Sequence, residues 1–180
     1  MRHTTSVLHS PVSPPGREPV GGRARTFNEC HWEAPMSAEA NKALVRKFYE
    51  EVFNRRNLAL ADELVTPDGI NHATPPGVPS VGPSGIRFVV SMLTEGFPDH
   101  HHAIEDLFAE GDKVAMRCTF SGTHTGSILG LPPTGRAFRQ QQMHILRVEG
   151  GKLAEHWAVR DDLALMQQLG ALQPPAVQPS

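Results

Sequence analysis

The sequence predicts an α+β domain, a curved antiparallel sheet with helices on one face that together form a cone-shaped pocket. Three observations lead there. Apolar residues recur at helical spacing in the first half of the chain, at Leu44, Phe48 and Val52 and again at Ile86, Val89, Val90 and Leu93. In the second half they alternate at period two, as in Val114, Met116, Cys118 and Phe120. Short turns carrying glycine, Glu110-Gly111-Asp112 and Glu149-Gly150-Gly151, separate the alternating runs as in a hairpin meander. Helices followed by a meander is the order in which helices cover one face of an antiparallel sheet.

Bulk properties frame this reading. A chain of 180 residues holds one domain with tails and is long enough to bury a core. The net charge of -2 and pI near 6.5 argue against an electrostatic platform for nucleic acid or anionic lipid. No apolar run approaches the roughly 18 residues of a membrane span, so no membrane partner is expected. Cys30 and Cys118 lie in unlike contexts, with the spacing of neither a disulfide scaffold nor a zinc site, and a reduced, cytoplasmic setting is the default.

Residues 1–35 are crowded with Pro and Gly and have no apolar periodicity, so they are expected to be a disordered leader. Val7-Leu8 is too short for a secretory signal, and arginines at 2, 17, 23 and 25 leave a transit peptide formally open. Met36 opens the run MSAEANKAL, which reads like a natural start. The domain is expected over 36–172, with a flexible Pro-bearing tail over 173–180.

Within the domain, Ser37 is the expected cap of a first helix whose stripe is Ala43, Leu44, Phe48, Val52 and Phe53. A short helix over 58–64 ends before Pro67, and Asp68 follows as turn chemistry. The turn-rich run DGINHATPPGVPSVGPSG comes next, with Asn71 and His72 as candidate binding groups in a loop at the rim of the scaffold. A second long helix spans 84–95 and stops at Gly96-Phe97-Pro98. Strands follow over 102–109 and 113–124, then the loop Gly130-Leu131-Pro132-Pro133-Thr134-Gly135. A hairpin with arms 138–148 and 152–159 comes after, and a last helix starts at Asp161 or Asp162 and ends at Gly170.

The hairpin carries the functional signal. One face of its first arm holds Phe138, Gln140, Gln142, His144, Leu146 and Val148, so polar groups interrupt an otherwise buried face. On the second arm Ala154, His156 and Ala158 share one face, and Glu155 and Trp157 the other. With His156 turned the same way as His144, two imidazoles and an amide converge on one concave surface. Buried polar groups must be hydrogen-bonded, so the cluster is either an internal network or a pocket that a ligand enters. The opposite face, with Arg139, Gln141, Met143, Ile145 and Arg147, suits a subunit contact or solvent. His100-His101-His102 reads as a surface run, because consecutive strand residues point opposite ways and no partners complete a metal shell. His124 is expected at the pocket mouth or in solvent. His3, His9 and His31 lie in the leader and are assigned no chemistry.

The motifs NHATPPG, GPSGIRFVV, FPDHH, SGTHTG, GLPPTGRAF, QQQMHILR, EGGKLAEHW and LMQQLG, in that order over residues 38–172, resemble the SnoaL-like polyketide cyclases, also called ester cyclases. The resemblance implies a nuclear-transport-factor-like (cystatin-like) cone, often a homodimer, whose pocket takes a hydrophobic polyketide ester. It also implies ring closure by intramolecular aldol attack without metal or cofactor. Carried over by position, the pocket's polar residues fall on Asn71, Gln142 and His144. One position departs: the family's acid/base aspartate falls on Ala158, which cannot move a proton. Candidates to replace it are His156, whose imidazole titrates near neutrality, and Asp161 or Asp162 just beyond. Asp161 reads more readily as a helix cap. His144, with Gln142 beside it, would orient or polarise a carbonyl. His156, Asp161 and His144 are thus the candidate catalytic residues, and Asn71, His72, Gln142, Phe138 and Trp157 the candidate substrate contacts. Two function classes stay open: a cyclase, or a relative using the pocket for hydroxylation, isomerisation or hydrolysis; and a non-catalytic small-molecule carrier on the same fold.

Overall fold

The computed structural model describes residues 37–173. The expected leader over 1–35 and the tail beyond 173 lie outside the described residues. Ser37 starts the first helix, its hydroxyl oxygen accepting from the Ala40 amide at 3.2 Å. Helix α1 (Ala38–Lys47) does not stop at Lys47 but widens into a π-helix over Phe48–Asn54, closed by Arg55 N donating to Glu50 O at 3.0 Å. Leu44, Phe48, Val52 and Phe53 are buried as the stripe requires. Ala43 instead faces solvent, while Val45 and Tyr49 are buried. The wider π turn rotates successive residues less, and so brings Tyr49 onto the inner face beside Phe48.

The short helix over 58–64 is a 3-10 turn (Leu58–Leu60) followed by α2 (Ala61–Leu64). The next segment corrects the loop reading. Val65–Asn71 is strand β1, and it pairs in parallel with the last strand, Asn71 opposite His156. Pro67, Asp68 and Gly69 suggest a turn, but β1 is an edge strand with an irregular register between Val65 and Ile70, which is where a strand tolerates proline. Asn71 therefore ends a strand.

Helix α3 (Gly82–Gly96) has Pro83 in its first turn, where the missing N–H costs no hydrogen bond. Strands β2 (His101–Glu110), β3 (Lys113–Thr123), β4 (Ala137–Glu149) and β5 (Lys152–Arg160) form the predicted antiparallel meander, and α4 (Asp162–Leu169) ends at Gly170 in the left-handed region. The sheet order is β1-β5-β4-β3-β2, curved and unclosed. The fold class is the predicted one, with a single parallel edge added to the meander. Along β4 burial alternates strictly over residues 137–146, as the sequence pattern demands.

Two apolar clusters flank the concave face. One joins α1, the π turn and α3 to Val114, Met116, Cys118 and Leu146; the other gathers Phe97, Phe120, Phe138, Leu165 and Leu169. The run His100-His101-His102 is not a surface run: His100 is 1% and His102 4% exposed, and only His101 faces solvent. The strand begins at His101, and the Asn54 side chain bonds both backbone groups of His102, turning its ring inward. His124 is also fully buried, its Nδ1 3.0 Å from Thr134 Oγ1. Cys118 is a buried free thiol. No helix among the described residues is long and apolar enough to cross a membrane.

Candidate functional site

Between the helices and the concave face lies a cavity of about 260 Å³. Its helical wall is apolar, with Phe48, Phe53, Ile86, Val89 and Leu93. Its sheet wall carries Asn71, Gln140, Gln142, His144, His156 and Arg160. This is a common form of small-molecule site, an apolar enclosure with a few converging polar groups.

The polar groups form one chain. Asn71 Oδ1 lies 2.8 Å from His156 Nδ1; His156 Nε2 lies 2.8 Å from His144 Nδ1; His144 Nε2 lies 3.0 Å from Gln142 Oε1. Gln142 Nε2 then donates to Gln140 Oε1 at 2.8 Å, and Gln140 Nε2 to Asp162 Oδ1 at 2.9 Å. Both ends of the chain are acceptors, and that assigns the protons between them. At one end the Ala73 amide donates to Asn71 Oδ1 at 3.0 Å, so this atom is the carbonyl oxygen and His156 must present Nδ1–H to it. At the other end the Asp162 carboxylate fixes Gln140 and Gln142 as donors toward it, so His144 presents Nε2–H to Gln142 Oε1. The two remaining nitrogens, His144 Nδ1 and His156 Nε2, are then bare and face each other at 2.8 Å. They form a seat for one proton. The Tyr49 hydroxyl, 3.2 Å from His144 Nδ1, is the donor that occupies that lone pair while the seat is empty.

Electrostatics keeps the seat empty at neutral pH. Burial, then the neighbouring His156 and Arg160, push the His144 imidazolium down to about 3. Burial, then Arg160 and His72, push that of His156 down to about 4. Burial likewise raises the Tyr49 phenol well above its usual value, so it stays a donor. A negative charge created inside the cavity offsets the cost of an imidazolium there, and the seat then fills.

The sequence-derived candidates divide. Asn71, Gln142, His144 and His156 meet in the chain just described. Phe138 is buried in the second apolar cluster, behind the cavity wall. His72 and Trp157 stack on each other at 4.9 Å, and neither lines the cavity; Trp157 lies across from exposed Ile145, on the outer face. Asp161 caps α4, accepting from the Ala164 amide at 3.0 Å, while Asp162 reaches the cavity. Ala158 pairs with His144 across the β4–β5 ladder. Sequence reasoning missed Tyr49, Gln140 and Arg160 as cavity residues. Gln140 shares the alternation that marks Gln142, which was signal enough. Tyr49 depends on the π turn, and Arg160 on the register that sets it opposite Gln142.

Comparison with known proteins agrees with this architecture. A family model of SnoaL-like polyketide cyclases matches residues 43–169. Aklanonic acid methyl ester cyclase DnrD of Streptomyces peucetius is 33% identical over 90 residues, 49% of this chain. That match spans 62% of the relative's length, less than two thirds. Nogalonic acid methyl ester cyclase of Streptomyces nogalater is 30% identical over 119 residues, 66% of this chain and 89% of the relative. Among solved structures, TsrD from Streptomyces laurentii superposes with a TM-score of 0.69 at 32% identity, over 76% of this chain and 99% of its own.

Proposed function

This chain belongs to the SnoaL-like polyketide cyclase family, and from that premise we propose that it closes a ring in a hydrophobic, ester-bearing polyketide by intramolecular aldol attack, with His156 as proton carrier. The observation that carries the reading is the pair of bare nitrogens, His156 Nε2 and His144 Nδ1, 2.8 Å apart in the cavity wall. Substrate entering the cavity parts the two nitrogens, and His156 Nε2 then takes a proton from the carbon beside a substrate carbonyl. The imidazolium formed is held by Asn71 Oδ1 on one side and His144 Nδ1 on the other, and the enolate's charge offsets its burial. Asn71 Oδ1 already accepts twice, which leaves its amino group to donate to the enolate oxygen, and the Arg160 guanidinium lies on the same wall. The enolate carbon attacks the second carbonyl, and the carbon–carbon bond forms. The proton on His156 returns to the new alkoxide, so no cofactor is required by the balance of the step. The histidine pair thus takes over the work of the carboxylate that Ala158 lacks.

The substrates in view are methyl esters of the aklanonic and nogalonic acid kind, after the relatives' names. A homodimer through the outer sheet face is part of the same reading. Met143, Ile145 and Val159 are exposed there, with Val159 opposite Met143, and Met143→Glu is expected to shift sedimentation to the monomer. The reaction itself is tested by a pH–rate profile on such esters with the intact protein and His156→Gln. Loss of a general base lowers turnover by about 10²–10⁴-fold. A folded variant that keeps a tenth of the rate places the base elsewhere. Esters that bind the intact protein without reacting would make it a carrier.

A further inference from the structure

The cavity holds a buried polar side chain, His102, that belongs neither to the hydrogen-bond chain nor to the reaction above. His102 is 4% exposed, and its backbone is fixed by Asn54, whose Oδ1 accepts from His102 N at 2.8 Å and whose Nδ2 donates to His102 O at 3.1 Å. Its ring stacks on Phe120 at 4.5 Å and meets Phe53 and Tyr49 edge-on at 5.2 and 5.4 Å. Among the described residues neither ring nitrogen has a hydrogen-bond partner, and Nδ1 is fully buried. Three aromatic walls would accept a phenylalanine in this place, whereas an unpartnered imidazole costs free energy that only a partner recovers. The ring lines the same cavity as His144, and the two sit edge-on to the one Tyr49 ring, at 5.4 and 5.5 Å.

We propose that His102 is a second binding residue of the cavity, donating a hydrogen bond to a carbonyl or hydroxyl oxygen of the substrate away from the carbons that join. The inference rests on the cyclase reading and deepens it: the substrate carries a further oxygen function within reach of His102. With Nδ1 sealed, Nε2 is the nitrogen that faces the cavity. Burial and the neighbouring His144 hold the imidazolium well below its usual range, so the ring is neutral and binds an uncharged oxygen. The contact is orienting: it selects which end of an extended molecule enters first, and no proton is transferred.

Anthraquinone and anthracene, tricycles that differ by two carbonyl oxygens, are the probes. Their dissociation constants are measured optically against the full chain and His102→Phe, which keeps the aromatic packing. The expected result is a loss of about tenfold for anthraquinone, the worth of one buried hydrogen bond, with anthracene unchanged. Anthraquinone bound by the variant as tightly as by the intact protein overturns the role of His102 and leaves the histidine-pair chemistry standing. Binding of neither probe by the intact protein overturns both. Should His102→Phe fail to fold, nitrogen-15 histidine spectra of the intact protein decide: anthraquinone must move the His102 ring nitrogens, and a shift confined to His144 and His156 refutes the proposal.

Discussion

Lowering the pH from 7 to 5 sets four buried imidazoles against the folded state. Burial pushes His100 down to about 4, His144 to about 3 and His156 to about 4, and holds His102 well below its usual value. An unfolded chain protonates each of them near 6.5. A folded value below the unfolded one means that the unfolded state binds more protons, so stability rises with pH. Each ring's contribution is fully present above about 6.5 and is lost as pH falls toward its folded value. Between pH 7 and 5 the loss is about 2 kcal/mol for each of His100, His144 and His156, hence about 6 kcal/mol for the three, and His102 acts in the same direction. If one proton enters the seat between His144 and His156 in this range, the sum falls to about 4 kcal/mol. Either figure takes up much of the roughly 5–15 kcal/mol by which a domain is stable. The carboxylates held below their usual range, Asp99, Glu105 and Glu155, contribute only beneath about pH 4.5 and leave this window clean. Urea unfolding followed by circular dichroism at pH 7, 6 and 5 measures the effect. A drop below about 2 kcal/mol, one ring's share, would refute the argument, because the rings would then be hydrated or already charged in the folded protein.

Three further outcomes are expected. Asp161→Ala removes the cap on α4 and lowers stability by about 1 kcal/mol in thermal melts, with turnover per folded molecule unchanged; a fall in kcat would restore Asp161 as a catalytic candidate. Asn71→Leu removes the acceptor that sets the His156 tautomer and holds its charged form, so kcat falls by about 10–100-fold while KM moves little. Gly126→Ala puts a Cβ 1.8 Å from the Glu95 carbonyl oxygen, a backbone atom that cannot move aside; the loop must shift, and the melting temperature drops by the equivalent of about 1–3 kcal/mol.

The parts of the site that were most legible in the sequence lie on the β4–β5 hairpin, with Asn71 picked out beside them. Strand alternation is a local rule, and it put Gln142 and His144 together on a face whose other members are apolar. Much of the rest was illegible because it depends on departures from regular geometry. A regular α-helix gives no reason to bury Tyr49 with Phe48, and the π turn does. Pro67 and Gly69 masked a strand, since an edge position forgives both. The inward turn of His102 depends on Asn54, about fifty residues earlier in the chain, and the His100 carbonyl is held by Arg56 from the same stretch, which no periodicity reveals.

By itself the sequence determined the order of elements, the face of each strand that is buried, and the presence of polar residues on one such face. These follow from spacings of two and about 3.6 residues, which a chain carries wherever it folds. The tertiary structure alone decided which polar atoms meet. Asn71 and His156 are 85 residues apart and touch because β1 joins the sheet in parallel beside β5. The protons on the histidine pair are assigned only because the Ala73 amide and the Asp162 carboxylate hold the two ends of the hydrogen-bond chain. A hydrogen bond has direction as well as distance, and direction is fixed by partners that only the folded sheet brings within about 3 Å.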